Sequence, residues 1–452
     1  MIRFTLQQAA ECTGARVVGD GETAFEGVAI DSRRVRAGQL FCALPGTRVD
    51  GHDFVEAAAE ASAAAALVQR TTESALPQLV VDDVERAFGQ LAAAWRASLD
   101  VRVVGVTGSN GKTTVKNMLS GILRRLGPTL ATEGNLNNEL GVPLTLARLD
   151  ATQRYAVVEM GCGKPGDIAY LAGLARPEIG IVTNAGPAHL ERLGSVEGVA
   201  RCKGELFEAV GAAMGSAGTA IVNRDDRFCE EWIGRAGDAR CISFGRHAEA
   251  DVRLLDEQGA PRLQTSNGTI ALNLALPGAH NRANAAAAAA AALALDVAPA
   301  DIEAGLAAAH GVPGRLQVRA MAGDWTLIDD TYNANPASLY AALAVLAEQD
   351  GERWLVLGNM AELGAESAKL HREVGRAAAE FGVRRLYATG NDAAQAAEAF
   401  GREGRSFDSP IALAEALHAD LHEGVACLVK GSRSAHMEAV IERLVAGEAE
   451  AC

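Results

Sequence analysis

The chain carries Gly105-Val106-Thr107-Gly108-Ser109-Asn110-Gly111-Lys112-Thr113-Thr114, set between an apolar run and a segment of helical character, Val115 to Leu126. Glycines permit a tight turn in which several backbone N–H groups point at one phosphate, and the helix that follows adds the positive end of its dipole. In such a loop Lys112 reaches the terminal phosphates and the Thr113 hydroxyl holds Mg²⁺. Counted from Gly108 the loop departs from the strict GxxxxGK[ST] spacing, and Gly105 does not restore it. It is a variant phosphate cradle.

Three more residues fit metal-assisted phosphoryl transfer. Glu159 ends the apolar run Tyr155 to Val158, at the strand edge where ligands gather in open α/β sheets, and a carboxylate there can take Mg²⁺ opposite the cradle. His189 closes Asn184-Ala185-Gly186-Pro187-Ala188-His189 after the next strand, and Lys203 sits in Arg201-Cys202-Lys203-Gly204-Glu205. A nearby segment, Gly161-Cys162-Gly163-Lys164-Pro165-Gly166, matches a dinucleotide fingerprint, but the following strand Ile179 to Val182 ends in Thr183-Asn184 with no acidic residue for a ribose. His418 and His422 stand four apart with no third ligand close in sequence, so they read as an exposed helix face and not as a metal site.

These residues need a scaffold, and the apolar pattern supplies it. Runs at 103–106, 156–158, 179–182 and 220–222 alternate with glycine turns and helical stretches, as expected of parallel strands buried on both faces. After Val312-Pro313-Gly314 the alternation restarts at 326–328, 354–357, 385–388 and 427–429. Before position 82, short strand-like runs at 27–30, 39–44 and 65–68 flank an alanine-rich helix from Phe54 to Ala64. At roughly 150 residues per domain, 452 residues make about three domains. The expected class is α/β: a small α/β domain over 1–82, a central phosphate-loop domain with a parallel sheet over 83–312, and a C-terminal doubly wound, Rossmann-like domain over 313–452.

Composition sets limits. A net charge of −15 argues against a nucleic-acid partner or an acidic membrane surface, and only six of the 42 basic residues are lysine. The longest apolar run, Ala285 to Leu295, is too short to span a bilayer and reads as a buried helix. The N-terminus lacks a signal-peptide core. Eight cysteines without a CxxC pair point to reduced thiols in a cytoplasmic protein.

Further segments recur in order along the chain. They include Asp31-Ser32-Arg33, Phe41-Cys42-Ala43-Leu44-Pro45-Gly46, Asp50-Gly51-His52-Asp53-Phe54, Thr132-Glu133-Gly134-Asn135-Leu136-Asn137-Asn138, Gly278-Ala279-His280-Asn281-Arg282-Ala283-Asn284, Pro313-Gly314-Arg315, Asp329 to Pro336 and Lys430-Gly431-Ser432-Arg433-Ser434. Together with the cradle, Glu159 and the 184–194 segment, they resemble the Mur ligase family, ATP-dependent amide-forming enzymes of peptidoglycan precursor synthesis, over essentially the whole chain. The resemblance implies an N-terminal UDP-sugar module, a central ATPase and a C-terminal domain that closes on ATP and the amino component. It implies UDP-N-acetylmuramoyl-tripeptide and D-alanyl-D-alanine as substrates, with meso-diaminopimelate and lysine both open as the third peptide residue, and a chain that works as a monomer.

Residue by residue, the resemblance implies that Gly108, Ser109, Asn110, Gly111, Lys112, Thr113 and Thr114 hold ATP, with Asn281 and Asn284 at the adenine. Arg315 and Asp330 would meet phosphate and ribose. Thr113, Glu159, His189 and a carbamylated Lys203 would hold Mg²⁺, while Lys112, Lys203, His189 and Arg315 would carry catalysis. Asp31, Ser32 and Arg33 would face the uridine diphosphate; Thr132, Asn137 and Asn138 would face the muramoyl part. No protein nucleophile is needed, which makes Cys162 and Cys202 bystanders. Asn359 stands where many relatives carry aspartate. Folylpolyglutamate synthases of the same superfamily, and a nucleotide switch without ligase chemistry, are the competing readings.

Overall fold

The structure, a computed structural model, describes residues 1–46, 49–256 and 260–451. The first unit pairs Arg3–Thr5 with Ala24–Glu26 and builds a five-stranded sheet in the order Arg16–Val18, Gln78–Val80, Ala65–Val68, Leu40–Cys42, Val28–Ala29. Its alanine-rich helix is shorter than the pattern suggested, Val55–Glu60: the turn Gly51–Phe54 takes the first residue, and left-handed backbone at Ser62 (φ 64°) follows its end.

Nine strands form the central sheet. Arg102–Thr107 lies between Tyr155–Glu159 on one side and Ile179–Val182 on the other, all three parallel. Chain direction across the sheet therefore reverses at Arg102–Thr107, and a crevice opens at the carboxyl ends of such strands. Thr219–Asn223, Arg240–Gly245 and Val252–Leu255 continue the sheet in parallel, and only then does it turn antiparallel, with Arg262–Thr265 set between Val252–Leu255 and Gly268–Ala271. The expected parallel sheet thus carries an antiparallel edge. The last two strands each bury one side chain, Leu263 and Ile270, and leave others exposed, and a half-solvated face suits antiparallel pairing.

The run Ala285 to Leu295 lies in and just beyond the helix Ala279–Ala294, with Ala285 through Ala292 fully buried. Alanine gives that helix no bulk on any side, so it can lie between the sheet and the helix Lys112–Arg124. Among the described residues no helix is long and apolar enough to cross a membrane.

The third unit is a six-stranded sheet in the order Gln317–Met321, Trp325–Asp330, Val425–Lys430, Glu352–Gly358, Arg385–Thr389, Gly404–Phe407, parallel except at its first pairing. Separate apolar clusters cover its two faces. The helix Pro410–Asp420 ends before His422 because Leu421 turns extended; His422 sets its ring edge-on against Trp354 at 5.5 Å. It does not share a helix face with His418. The seven described cysteines are free thiols; Cys452 lies outside the described residues.

Candidate active site

The phosphate loop runs from the end of Arg102–Thr107 into the helix Lys112–Arg124. Gly108 (φ 152°) and Gly111 (φ 85°) hold backbone that favours glycine, and a Cβ on either would collide with the Thr183 hydroxyl or the Asn284 amide. Asn184 clamps the loop from the neighbouring strand: its Oδ1 accepts from the Asn110 N–H at 3.0 Å and its carbonyl accepts from the Ser109 N–H at 3.0 Å. The 184–186 part of the motif thus shapes the cradle.

Lys112 donates through Nζ to the Gly108 carbonyl at 2.7 Å. Burial, then the charge of Lys203, lowers its pKa to about 8. One helical position on, the Thr113 hydroxyl donates to Glu159 Oε2 at 2.9 Å. Glu159 is 2% exposed and tightly held: its N–H donates to Thr132 Oγ1 at 2.9 Å and Oε1 accepts from Asn137 Nδ2 at 2.8 Å. Of the residues expected to face the muramoyl part, Asn137 therefore abuts the carboxylate and Thr132 the backbone of Glu159. Asn138 instead accepts from the Gly141 N–H at 2.9 Å, opening the next helix.

Between the central and C-terminal units lies a cavity of about 390 Å³, lined by residues 109–114, by His280, Asn281 and Asn284, and by Arg315, Tyr332 and Asp330. Arg315 crosses the gap to donate through Nη2 to Thr113 Oγ1 at 3.1 Å and lies 4.0 Å over the Tyr332 ring. Its buried Nε has no hydrogen-bond partner among the described residues, a donor that an anionic ligand would satisfy. Asn335 Nδ2 donates to Asn110 Oδ1 at 2.8 Å, a direct contact between the two units. Asn281 and Asn284 are buried and linked at 3.3 Å. Asp330 is paired with Lys430 and accepts from the Leu316 N–H at 3.1 Å; burial pushes its pKa up against the pull of the lysine.

Lys203 is 2% exposed, with Nζ 3.5 Å from Cys162 Sγ. The Cys162 thiol is held below its ordinary range, first by the hydrogen bond from Cys202 and then by the charges of Lys203, Lys112 and His189. His189 itself pairs with Glu362 of the C-terminal unit. Asp31, Ser32 and Arg33 stand apart: Arg33 forks onto Asp31 at 2.9 and 2.8 Å, lowering the aspartate's pKa to about 2, in a short turn on the N-terminal unit.

The Thr113 hydroxyl and the Glu159 carboxylate are hard oxygen donors beside a phosphate cradle, a set that suits Mg²⁺. Lys203 as an ammonium could not join them; as a carbamate it could, and its burial beside Lys112 would then bring attraction in place of repulsion.

Family models match along the chain: the Mur ligase family catalytic domain over 24–96, the Mur ligase middle domain over 106–292, and the Mur ligase glutamate ligase domain over 314–433. The UDP-N-acetylmuramoyl-tripeptide--D-alanyl-D-alanine ligase of Escherichia coli is 42% identical over 452 residues, covering 98% of this chain and 99% of the relative. This chain belongs to the Mur ligase family. A crystal structure of MurF from Acinetobacter baumannii superposes with a TM-score of 0.91 at 36% identity, covering 98% of this chain and 99% of that one. The MurF ligase of Thermotoga maritima in complex with ADP gives 0.83 at 28% identity, covering 94% and 99%.

Within this Mur ligase three residues near the site escaped the sequence reading. Lys116 is 3% exposed, donates to the Thr132 carbonyl at 2.6 Å and lies 3.8 Å from Glu159 Oε2. Its being one of six lysines, one helical turn after Lys112, was the available signal. His280 sits inside the quoted 278–284 segment. Glu362 carried no signal. Asn359, flagged for its missing acid, accepts through Oδ1 from the Ala393 N–H at 2.8 Å, a task either side chain can perform.

Proposed function

We propose that this chain joins D-alanyl-D-alanine to UDP-N-acetylmuramoyl-tripeptide in peptidoglycan precursor synthesis, converting ATP to ADP and phosphate. End-to-end likeness to ligases of that name carries the reading. A free carboxylate is a poor electrophile, so its oxygen first takes the γ-phosphoryl group; the amine of D-alanyl-D-alanine then attacks the acyl phosphate and phosphate departs.

In this reading the backbone of 108–114 and Lys112 cradle the phosphates, Arg315 meets the charge that builds during transfer, and Asn281 and Asn284 hold the adenine. Asp330 serves the ribose, while Asp31, Ser32 and Arg33 serve the uridine diphosphate and Thr132, Asn137 and Asn138 the muramoyl peptide. Thr113, Glu159, His189 and carbamylated Lys203 would hold Mg²⁺, which when bound neutralises phosphate charge. All these groups come from one chain, so a monomer suffices, and its nucleotide substrates place it in the cytoplasm. Incubation with ATP, Mg²⁺, both substrates and each tripeptide in turn should give ADP and a pentapeptide of the expected mass; a folded, nucleotide-binding sample that makes none counts against the reading.

A further inference from the structure

His189 and Glu362 meet across the boundary between the central and C-terminal units. His189 ends the loop that follows Ile179–Val182 and precedes the short helix Leu190–Leu193; Glu362 lies in the loop between Glu352–Gly358 and the turn Gly364–Glu366. Nδ1 of the ring is 2.5 Å from Oε2 of the carboxylate. Both residues hold left-handed backbone, φ 53° and 62°, a conformation that is costly for a residue with a Cβ. The pair is also half solvated, its side chains 35% and 52% exposed, and ion pairs of that kind add little stability. Stability therefore does not account for two strained residues meeting.

Position does. The Glu362 loop is anchored to its own sheet, since Asn359 accepts through Oδ1 from the Ala393 N–H at 2.8 Å and through its carbonyl from the Ser432 N–H at 2.9 Å. Beside the ion pair, Gly364 packs against Glu191. On the other side, the loop that His189 ends begins at Asn184, whose Oδ1 and carbonyl accept from the Asn110 and Ser109 N–H groups of the phosphate cradle at 3.0 Å each. A carboxylate that accepts from Nδ1–H fixes both the tautomer and the turn of an imidazole and leaves Nε2 with a free lone pair. The same contact holds the Glu362 carboxyl below the usual range.

We propose that Glu362 is a positioning residue for the ligation reaction: with the C-terminal unit docked, it grips Nδ1 of His189 and presents Nε2 to the phosphoryl-transfer site. This rests on the ligase reading above.

The test combines turnover with a spectroscopic signature in the full chain. In ¹⁵N-histidine spectra of the ADP-bound protein, the His189 signal, identified by its loss in His189→Asn, should show the Nδ1–H tautomer in the wild type and a tautomer mixture in Glu362→Ala and Glu362→Gln. The same variants should lose about tenfold or more in kcat, keep nucleotide affinity within about threefold and keep the wild-type melting temperature, with Glu362→Asp regaining part of kcat. An unchanged His189 tautomer in folded Glu362→Ala, or a kcat within about threefold of wild type, overturns the proposal. If the wild type itself makes no product, the ligase reading falls, while the tautomer comparison still decides whether Glu362 sets His189.

Discussion

Arg315 donates to the hydroxyl of Thr113 at 3.1 Å, across 202 positions of sequence and from one domain to the next. Thr113 in turn donates its hydroxyl to Glu159 at 2.9 Å, so a guanidinium of the C-terminal unit reaches the Thr113–Glu159 pair beside the cradle. Its Nε, unpartnered among the described residues, can meet a phosphate oxygen. Arg315→Ala should lower kcat on the order of 10²- to 10³-fold, the loss expected for one donor to developing charge. Phosphate release under saturating substrates measures it, and a change of under about threefold would remove Arg315 from the machinery.

Lys203 is buried beside Lys112 with a thiol as its contact. A carbamate there would account for a lysine and not an arginine at the position, since a guanidinium does not take up CO₂ in this way. Lys203→Ala should lose most activity and recover part of it with added short-chain carboxylates. Full activity in the alanine variant is the contrary result.

The strands that carry the site were legible because a parallel sheet buried on both faces leaves unbroken apolar runs such as Ile179–Val182, all four residues buried. The cradle was legible because Gly108, Gly111 and Lys112 are adjacent in sequence. What was not legible depends on who meets whom across domains. Apolar periodicity marks Lys116 as near a helix start, but only the approach of Thr132 and Glu159 makes a lysine tolerable there. Likewise nothing local ties Glu362 to His189, and the mixed composition of Arg262–Thr265 hides a strand that pairs antiparallel on both sides.

Lys116 links the nucleotide helix to the Thr132 carbonyl and the Glu159 carboxylate inside the protein. Removing one partner of a buried charge pair leaves the other uncompensated, so Lys116→Ala should destabilise the protein by about 3 kcal/mol. Urea unfolding followed by circular dichroism reads the loss. A value under about 1 kcal/mol would show that the ammonium is dispensable to the fold.

His280, at the cavity wall, is lowered to a pKa of about 4 by burial and then by the charges of Lys430 and Arg282. An unfolded histidine titrates near about 6.5. The unfolded chain therefore binds the proton first: the contribution of neutral His280 is full above that value and is lost as pH falls towards the folded pKa, by up to about 3 kcal/mol. The urea midpoint should drop between about pH 6.5 and 4, and His280→Gln should flatten part of that slope. An identical slope in the variant would assign the acid sensitivity elsewhere.

The central claim is that this chain activates the peptide carboxylate as an acyl phosphate and passes it to D-alanyl-D-alanine. Using UDP-N-acetylmuramoyl-tripeptide labelled with ¹⁸O in the reacting carboxylate, mass spectrometry of both products tests it directly. Each phosphate released should carry one ¹⁸O atom, in step with one pentapeptide formed. Unlabelled phosphate, or a faster release with a folate and glutamate than with the muramoyl peptide, would contradict it.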